Sequence, residues 1–169
     1  MVALLEGTQA PDLSLTSTDG SRYSLYQRLR ESPVVLLAFY KVSCPVCHLE
    51  FPYLERLHRS YPRLPIWGIS QDDEDATVTF SKMFGITFPT LLDHSLDVSV
   101  KYGITHVPSV FLVGSDKMIR QTIVGFSKAD LERLNLELAT AMDFSSKPLF
   151  SAADEVPEFR PGCVSKQPL

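Results

Sequence analysis

Few cysteines, no long apolar run and no stripe of basic residues: each shortage removes a class of protein. Three cysteines in 169 residues are too few, and odd in number, for a small secreted scaffold stapled by disulfides. They are left free to do chemistry. The longest apolar runs, such as PVVLLAFY at 33–40, fall far short of the roughly twenty residues that a helical membrane span needs, so no membrane partner is expected. Lys and Arg number 16 against 20 Asp and Glu, for a net charge of −4, and the basic residues are scattered, which argues against nucleic acid. The opening MVALLEGTQAPDLSLTSTDG has neither the basic n-region nor the apolar h-region of an export signal, so a cytoplasmic location is expected. The sequence has no internal repeat and no low-complexity segment.

What is present fits one globular domain with a full core: 44% of residues are hydrophobic and 21% charged. The run 33–40 reads as a fully buried strand. From Pro45 to about Ser60, Val46, Leu49, Tyr53, Leu54 and Leu57 recur at helical spacing, with Arg56, His58 and Arg59 on the opposite face. Residues 64–70 are again strand-like, and 72–85 read as a helix closed by Gly85. Strands joined by helices of this length must be parallel. After FPTLLD and a short helix near 95–102, residues 109–126 hold two strands around Gly-Ser-Asp-Lys, a hairpin signal, so the second half of the sheet is antiparallel. An amphipathic helix at about 128–142 presents Leu131, Leu134, Leu138 and Ala141 to the sheet. The alternating stretch that turns at Asp19-Gly20 predicts a small hairpin before the main sheet. The expected division is a domain at 1–144 and a Pro-rich tail at 145–169, either surface-hugging or disordered, because that segment has no periodicity.

The chemistry lies in SCPVCHLEFP, residues 43–52. Cys44-x-x-Cys47-His48 fits a haem c attachment site or a redox dithiol, and Cys-x-x-Cys is also a zinc spacing. Haem attachment is disfavoured by the apolar, β-branched run just before Cys44 and by the lack of an export signal. Zinc needs two more ligands, and neither a second close Cys pair nor a His-x3-His is present. The dithiol reading is preferred, with no metal and no cofactor other than a Cys44–Cys47 disulfide.

A hairpin, a βαβ unit with Cys-x-x-Cys at the start of its helix, and Val107-Pro108 leading into a ββα unit together resemble the thioredoxin fold. GTQAPDLSL, CPVCHLEFPYLERL, GITFPTLLD and YGITHVPSVFLV are together similar to the TlpA/ResA branch of thiol-disulfide proteins, within the wider redoxin (AhpC-TSA) group that includes the peroxiredoxins. The resemblance covers about residues 5–140. It implies an α/β thioredoxin-like fold, a central mixed sheet flanked by helices, with an N-terminal β-hairpin extension and an irregular C-terminal tail. The sequence departs from that family in having no Trp before Cys44, no visible export signal and a cysteine in the tail.

Cys44 is expected at the N-cap of the helix with Pro45 in its first turn. Free N–H groups and the helix dipole there favour a thiolate, which makes Cys44 the exposed nucleophile. Cys47, one turn in, is the buried resolving thiol. Glu50 lies three residues beyond Cys47 and is its helical neighbour. It occupies the place of the active-site glutamate in ResA-like proteins, while the place of the buried thioredoxin Asp is taken by Ala38. Burial should raise its pKa and suit it to accept the Cys47 proton. The resemblance makes Pro108 the cis-proline beside the dithiol, exposing the Val107 backbone to an extended substrate segment. His106 is a candidate for the same groove. His48 is expected at the surface, and Pro52 should kink the helix.

Cys163 is a possible third redox thiol. The short Cys-x-x-Cys loop gives Cys47 the higher effective concentration near Cys44, so the expected oxidised state is Cys44–Cys47 with Cys163 free. The function expected is that of a thiol-disulfide oxidoreductase exchanging a Cys44–Cys47 dithiol/disulfide with protein or small thiol substrates, with protein disulfides and a thiol reductant as partners, acting as a monomer. Alternatives are a peroxiredoxin-like thiol peroxidase, for which neither cysteine has Pro and Thr at seven and three residues before it, and a non-catalytic thioredoxin-like binding module.

Overall fold

In the computed structural model, which describes residues 2–169, the chain begins with β1 (Ser14–Thr16), β2 (Arg22–Ser24), α1 (Leu25–Arg28), β3 (Val34–Tyr40) and α2 (Pro45–Ser60). It continues through β4 (Ile66–Ser70), α3 (Glu74–Phe84), β5 (Thr90–Leu92), α4 (Asp97–Lys101), β6 (His106–Val107), β7 (Ser109–Gly114) and β8 (Ile119–Val124). It ends with β9 (Phe126–Ser127), α5 (Lys128–Met142), β10 (Phe159–Arg160) and β11 (Cys163–Val164). Five strands form the main sheet in the order β5-β4-β3-β7-β8. β3, β4 and β5 run parallel to one another, β7 runs antiparallel to β3, and β8 antiparallel to β7, as helical crossovers followed by a tight turn allow. Among the described residues no helix is long and apolar enough to cross a membrane.

β3 is central because all seven of its residues are buried, and a strand covered on both faces needs no polar alternation. Its last two residues separate the two sides. Tyr40 packs on Phe51 of α2 and Phe80 of α3, with ring centroids 4.3 and 5.0 Å apart. Phe39, one residue back, packs on Tyr102 and Phe111. Burying each such side chain contributes about 1.5–3 kcal/mol. The end of α2 is tied to α5 by the Tyr61 hydroxyl, which donates to the Asn135 Oδ1 at 2.7 Å. α2 starts where a cap is available and runs through Pro52 without a break. α3 is capped by Asp73, whose carboxylate accepts from the Ala76 N–H at 2.8 Å, and it closes at Gly85.

The predicted N-terminal hairpin is β1–β2, a sheet of its own joined to β5 by a Ser17–Leu91 bridge. The tail takes the surface-hugging form. Leu149 and Phe150 are buried, and the Phe150 ring lies 4.6 Å from Tyr53. Arg56 of α2 holds Asp154 at 2.9 Å. Farther on, β10 pairs with β9 and β11 with β6. Two-residue strands leave no sequence periodicity, so their pairing was beyond the reach of the pattern.

Candidate active site

Cys44 is the N-cap of α2 and Pro45 its first residue, an arrangement in which the missing proline N–H costs no hydrogen bond. The Cys47 N–H points at the Cys44 Sγ, 3.3 Å away. Cys47 is a free, fully buried thiol. Burial pushes its pKa well up, with the Glu50 carboxyl adding to the rise and a hydrogen bond with the Lys41 backbone opposing it. The two sulfurs therefore sit in opposite settings: the first at a helix N-terminus that supports negative charge, the second where charge is penalised.

Glu50 is completely buried, and neither carboxylate oxygen has a hydrogen-bond partner among the described residues. Desolvation alone raises its pKa well above the usual carboxylate range. A carboxyl group in such a place is a candidate functional group, because a purely structural one would be paired. The expected burial of Glu50 is complete because Phe51 and Leu54 beside it are core residues.

Across from the dithiol, the Val107–Pro108 bond is cis, and the Val107 carbonyl oxygen lies 3.4 Å from the Cys44 Sγ. Here the structure corrects two expectations. Cys44 is not exposed; it is fully buried. It is joined not to Cys47 but to Cys163, in a disulfide with a Cα–Cα distance of 6.0 Å that spans 119 residues. Cys163 is thus no free bystander. Effective concentration favoured Cys47 only for a tail free to wander, and this tail is fixed in place. β11 pairs antiparallel with β6, Cys163 opposite Val107 and Val164 opposite His106.

Residues far from the tail in sequence hold it there. Lys41 Nζ donates to the Val164 carbonyl. The Ser165 N–H donates to the Thr105 carbonyl at 3.0 Å. The Lys166 N–H donates to Gln71 Oε1 at 2.9 Å, and its ammonium group pairs with Asp72. Gln71 and Asp72 precede the helix cap and are buried, so only Glu74 and Asp75 of the acidic run QDDED form the first turn of α3. Gly162 and Gly125 permit the close approach: a Cβ on Gly162 would stand 2.8 Å from the Val107 carbonyl oxygen, and one on Gly125 2.6 Å from that of Arg160. The readable signal was apolar residues in an otherwise polar tail, together with the Gly-Cys step.

His48 is half-buried, stacked on Phe84 with its Nε2 2.7 Å from the Val42 carbonyl, which braces the loop before Cys44. His106 has an exposed side chain, 3.0 Å from the Thr105 hydroxyl, and stands opposite Val164 in the β6–β11 pair. Trp67 is a core residue. Among the described residues no three His, Cys, Asp or Glu side chains gather to hold a metal ion.

A family model described as the AhpC/TSA family matches residues 7–122. Among curated proteins, the thiol-disulfide oxidoreductase ResA of Geobacillus kaustophilus is 30% identical over 78% of this chain and 76% of its own length. The thioredoxin-like protein YneN of Bacillus subtilis is 28% identical over 78% of this chain and 79% of its own. A solution structure of a candidate protein disulfide isomerase from Bacteroides thetaiotaomicron superposes with a TM-score of 0.76 at 25% identity, covering 85% of this chain and 95% of that one.

Proposed function

This chain belongs to the AhpC/TSA family and is a thiol-disulfide oxidoreductase, and we propose that Cys44 exchanges with protein disulfides while Cys47 resolves the product. The observation that carries this reading is a sulfur at the start of α2 already engaged in a disulfide, with a second, buried thiol one turn behind it. In the reduced enzyme the Cys44 thiolate, supported by the Cys47 N–H, attacks one sulfur of a substrate disulfide and expels the other as a thiolate. The Glu50 carboxylate takes the proton from Cys47. The Cys47 thiolate then attacks the Cys44 Sγ, the mixed disulfide breaks, and the substrate leaves with two thiols. The Cys44–Cys47 disulfide that remains is returned to the dithiol by an external thiol reductant.

Substrate binding in this proposal uses the Val107 backbone as the partner of an extended segment, with His106 at its rim. We place the enzyme as a monomer working in the reducing direction, in a compartment such as the cytoplasm that keeps dithiols reduced. The test is reduction of insulin with dithiothreitol as electron source, combined with a redox titration of the Cys44–Cys47 couple. Turnover lost in Cys44→Ser and a potential near about −270 mV support the reading. Turnover retained in Cys44→Ser overturns it, and a potential near about −120 mV reverses the direction.

A further inference from the structure

The tail lies where the proposed substrate would lie. β11 takes the backbone of Val107 in antiparallel pairing, and the sulfur opposite Val107 is bonded to Cys44. A substrate held by strand addition and caught as a mixed disulfide would make the same two attachments. The seat is built for it: Gly162 clears the Val107 carbonyl, and Lys41, Gln71, Asp72 and Thr105 each hold a residue of 164–166. Behind the bond, Cys47 remains a free thiol next to the unpartnered Glu50. That is the arrangement of a resolving cysteine waiting behind a mixed disulfide.

We propose that Cys163 is a third redox-active thiol of this enzyme, exchanging with its own active-site disulfide, and that residues 162–167 are a tethered substrate. The inference rests on the reading above of Cys44 as the exchanging thiol. In the step proposed, the Cys163 thiolate attacks the Cys44 Sγ of the Cys44–Cys47 disulfide. The Cys44–Cys163 bond forms, the Cys44–Cys47 bond breaks, and Cys47 leaves as a thiolate that takes its proton from the Glu50 carboxylic acid. In reverse, Glu50 removes the Cys47 proton, Cys47 attacks Cys44, and Cys163 departs as a thiolate. No electrons enter or leave; one disulfide is exchanged for another. The oxidised enzyme thereby covers its own Cys44, which is fully buried, while Cys163 stays partly open to solvent. In the reduced enzyme the same segment competes with protein substrates for Val107.

The experiment maps disulfides in the oxidised full-length chain by alkylation under denaturing conditions and mass spectrometry, and measures insulin reduction by dithiothreitol in wild type, Cys163→Ser and Gly162→Val. The expected map is Cys44–Cys163 with Cys47 labelled in wild type, and Cys44–Cys47 with Cys163 labelled in Gly162→Val, where a side chain collides with the Val107 carbonyl. KM for insulin should fall about threefold or more in Gly162→Val, where a tethered competitor acting at millimolar effective concentration is lifted off Val107, and should stay closer to wild type in Cys163→Ser, which keeps the strand pairing. Oxidised wild type that yields only Cys44–Cys47, with Cys163 fully labelled, overturns the proposal, as does an unchanged KM in Gly162→Val. Activity retained in Cys44→Ser would strike the underlying reading instead.

Discussion

The active-site helix and the tail meet at one disulfide, but they are ordered by different physics. α2 buries a continuous face, Cys47, Glu50, Phe51, Leu54 and Leu57, and it starts and ends by local rules of capping and proline placement. The tail buries Leu149 and Phe150 and little else that is large; otherwise it is held by single polar contacts and two very short strand pairs. Regions of the first kind unfold with the whole molecule, and those of the second open locally. A catalytic base must be fixed, whereas a segment that exchanges with substrates must be able to leave.

The largest test of this contrast removes one aromatic ring from each region. Phe51→Ala, in full contact with Tyr40, Phe80 and Phe88, should cost about 3–5 kcal/mol of global stability in denaturant melts. Phe150→Ala should leave the melt close to wild type and instead speed amide exchange across 145–165. A matching global loss from Phe150→Ala would make the tail part of the cooperative core.

Next in size is Glu50→Gln, which should slow resolution of the Cys44 mixed disulfide about a hundredfold and leave the first attack unchanged in stopped-flow traces. Its stability should move the other way. The folded pKa of Glu50 is raised by burial, so between the ordinary carboxylate pKa and the raised one the native state holds a proton that the unfolded chain has lost. Stability contributed by this group is present at acid pH and declines as pH rises through that window, by up to about 1.4 kcal/mol per pH unit. Glu50→Gln removes the decline, so melts at pH 8 should show the variant more stable than wild type. Equal pH slopes in both proteins would sink the assignment of a raised Glu50 pKa, the same rise that makes its ionised form a strong base toward Cys47.

A smaller effect is expected from Asp154→Asn. Hydrogen bonds from Arg56, and then from the Ser151 N–H, hold the Asp154 carboxyl below its usual range. With a depressed pKa, the contribution of this clamp is complete above the ordinary carboxylate pKa and is lost as pH falls through the lowered value. Limited proteolysis should therefore cut 145–158 faster in Asp154→Asn than in wild type at neutral pH, and the difference should shrink in strong acid. The same cleavage rate in both at neutral pH would show that the apolar contacts of Leu149 and Phe150 alone seat this stretch.

The same division governs what the sequence revealed. β3, α2 and α5 were legible because period and length are set by the faces they bury, and the Cys44, Cys47 and Glu50 positions followed from helical spacing. Val107 and Pro108 became legible through family resemblance. The tail was not, because its order depends on distant residues, such as Asp72 for Lys166 and Val107 for Cys163, and no local pattern encodes such a pair. The burial of Cys44 was missed for the same reason: its cover is a segment 119 residues away.

The central claim is that Cys44 is the atom that exchanges with substrate, and the most direct measurement uses a chain in which it is the only cysteine. Reduced Cys47→Ser/Cys163→Ser protein, mixed with insulin and quenched in acid, should accumulate a stable mixed disulfide on Cys44, formed at least as fast as the first phase of the wild-type reaction. Wild-type protein that reduces insulin while the double variant forms no adduct at Cys44 would contradict the account.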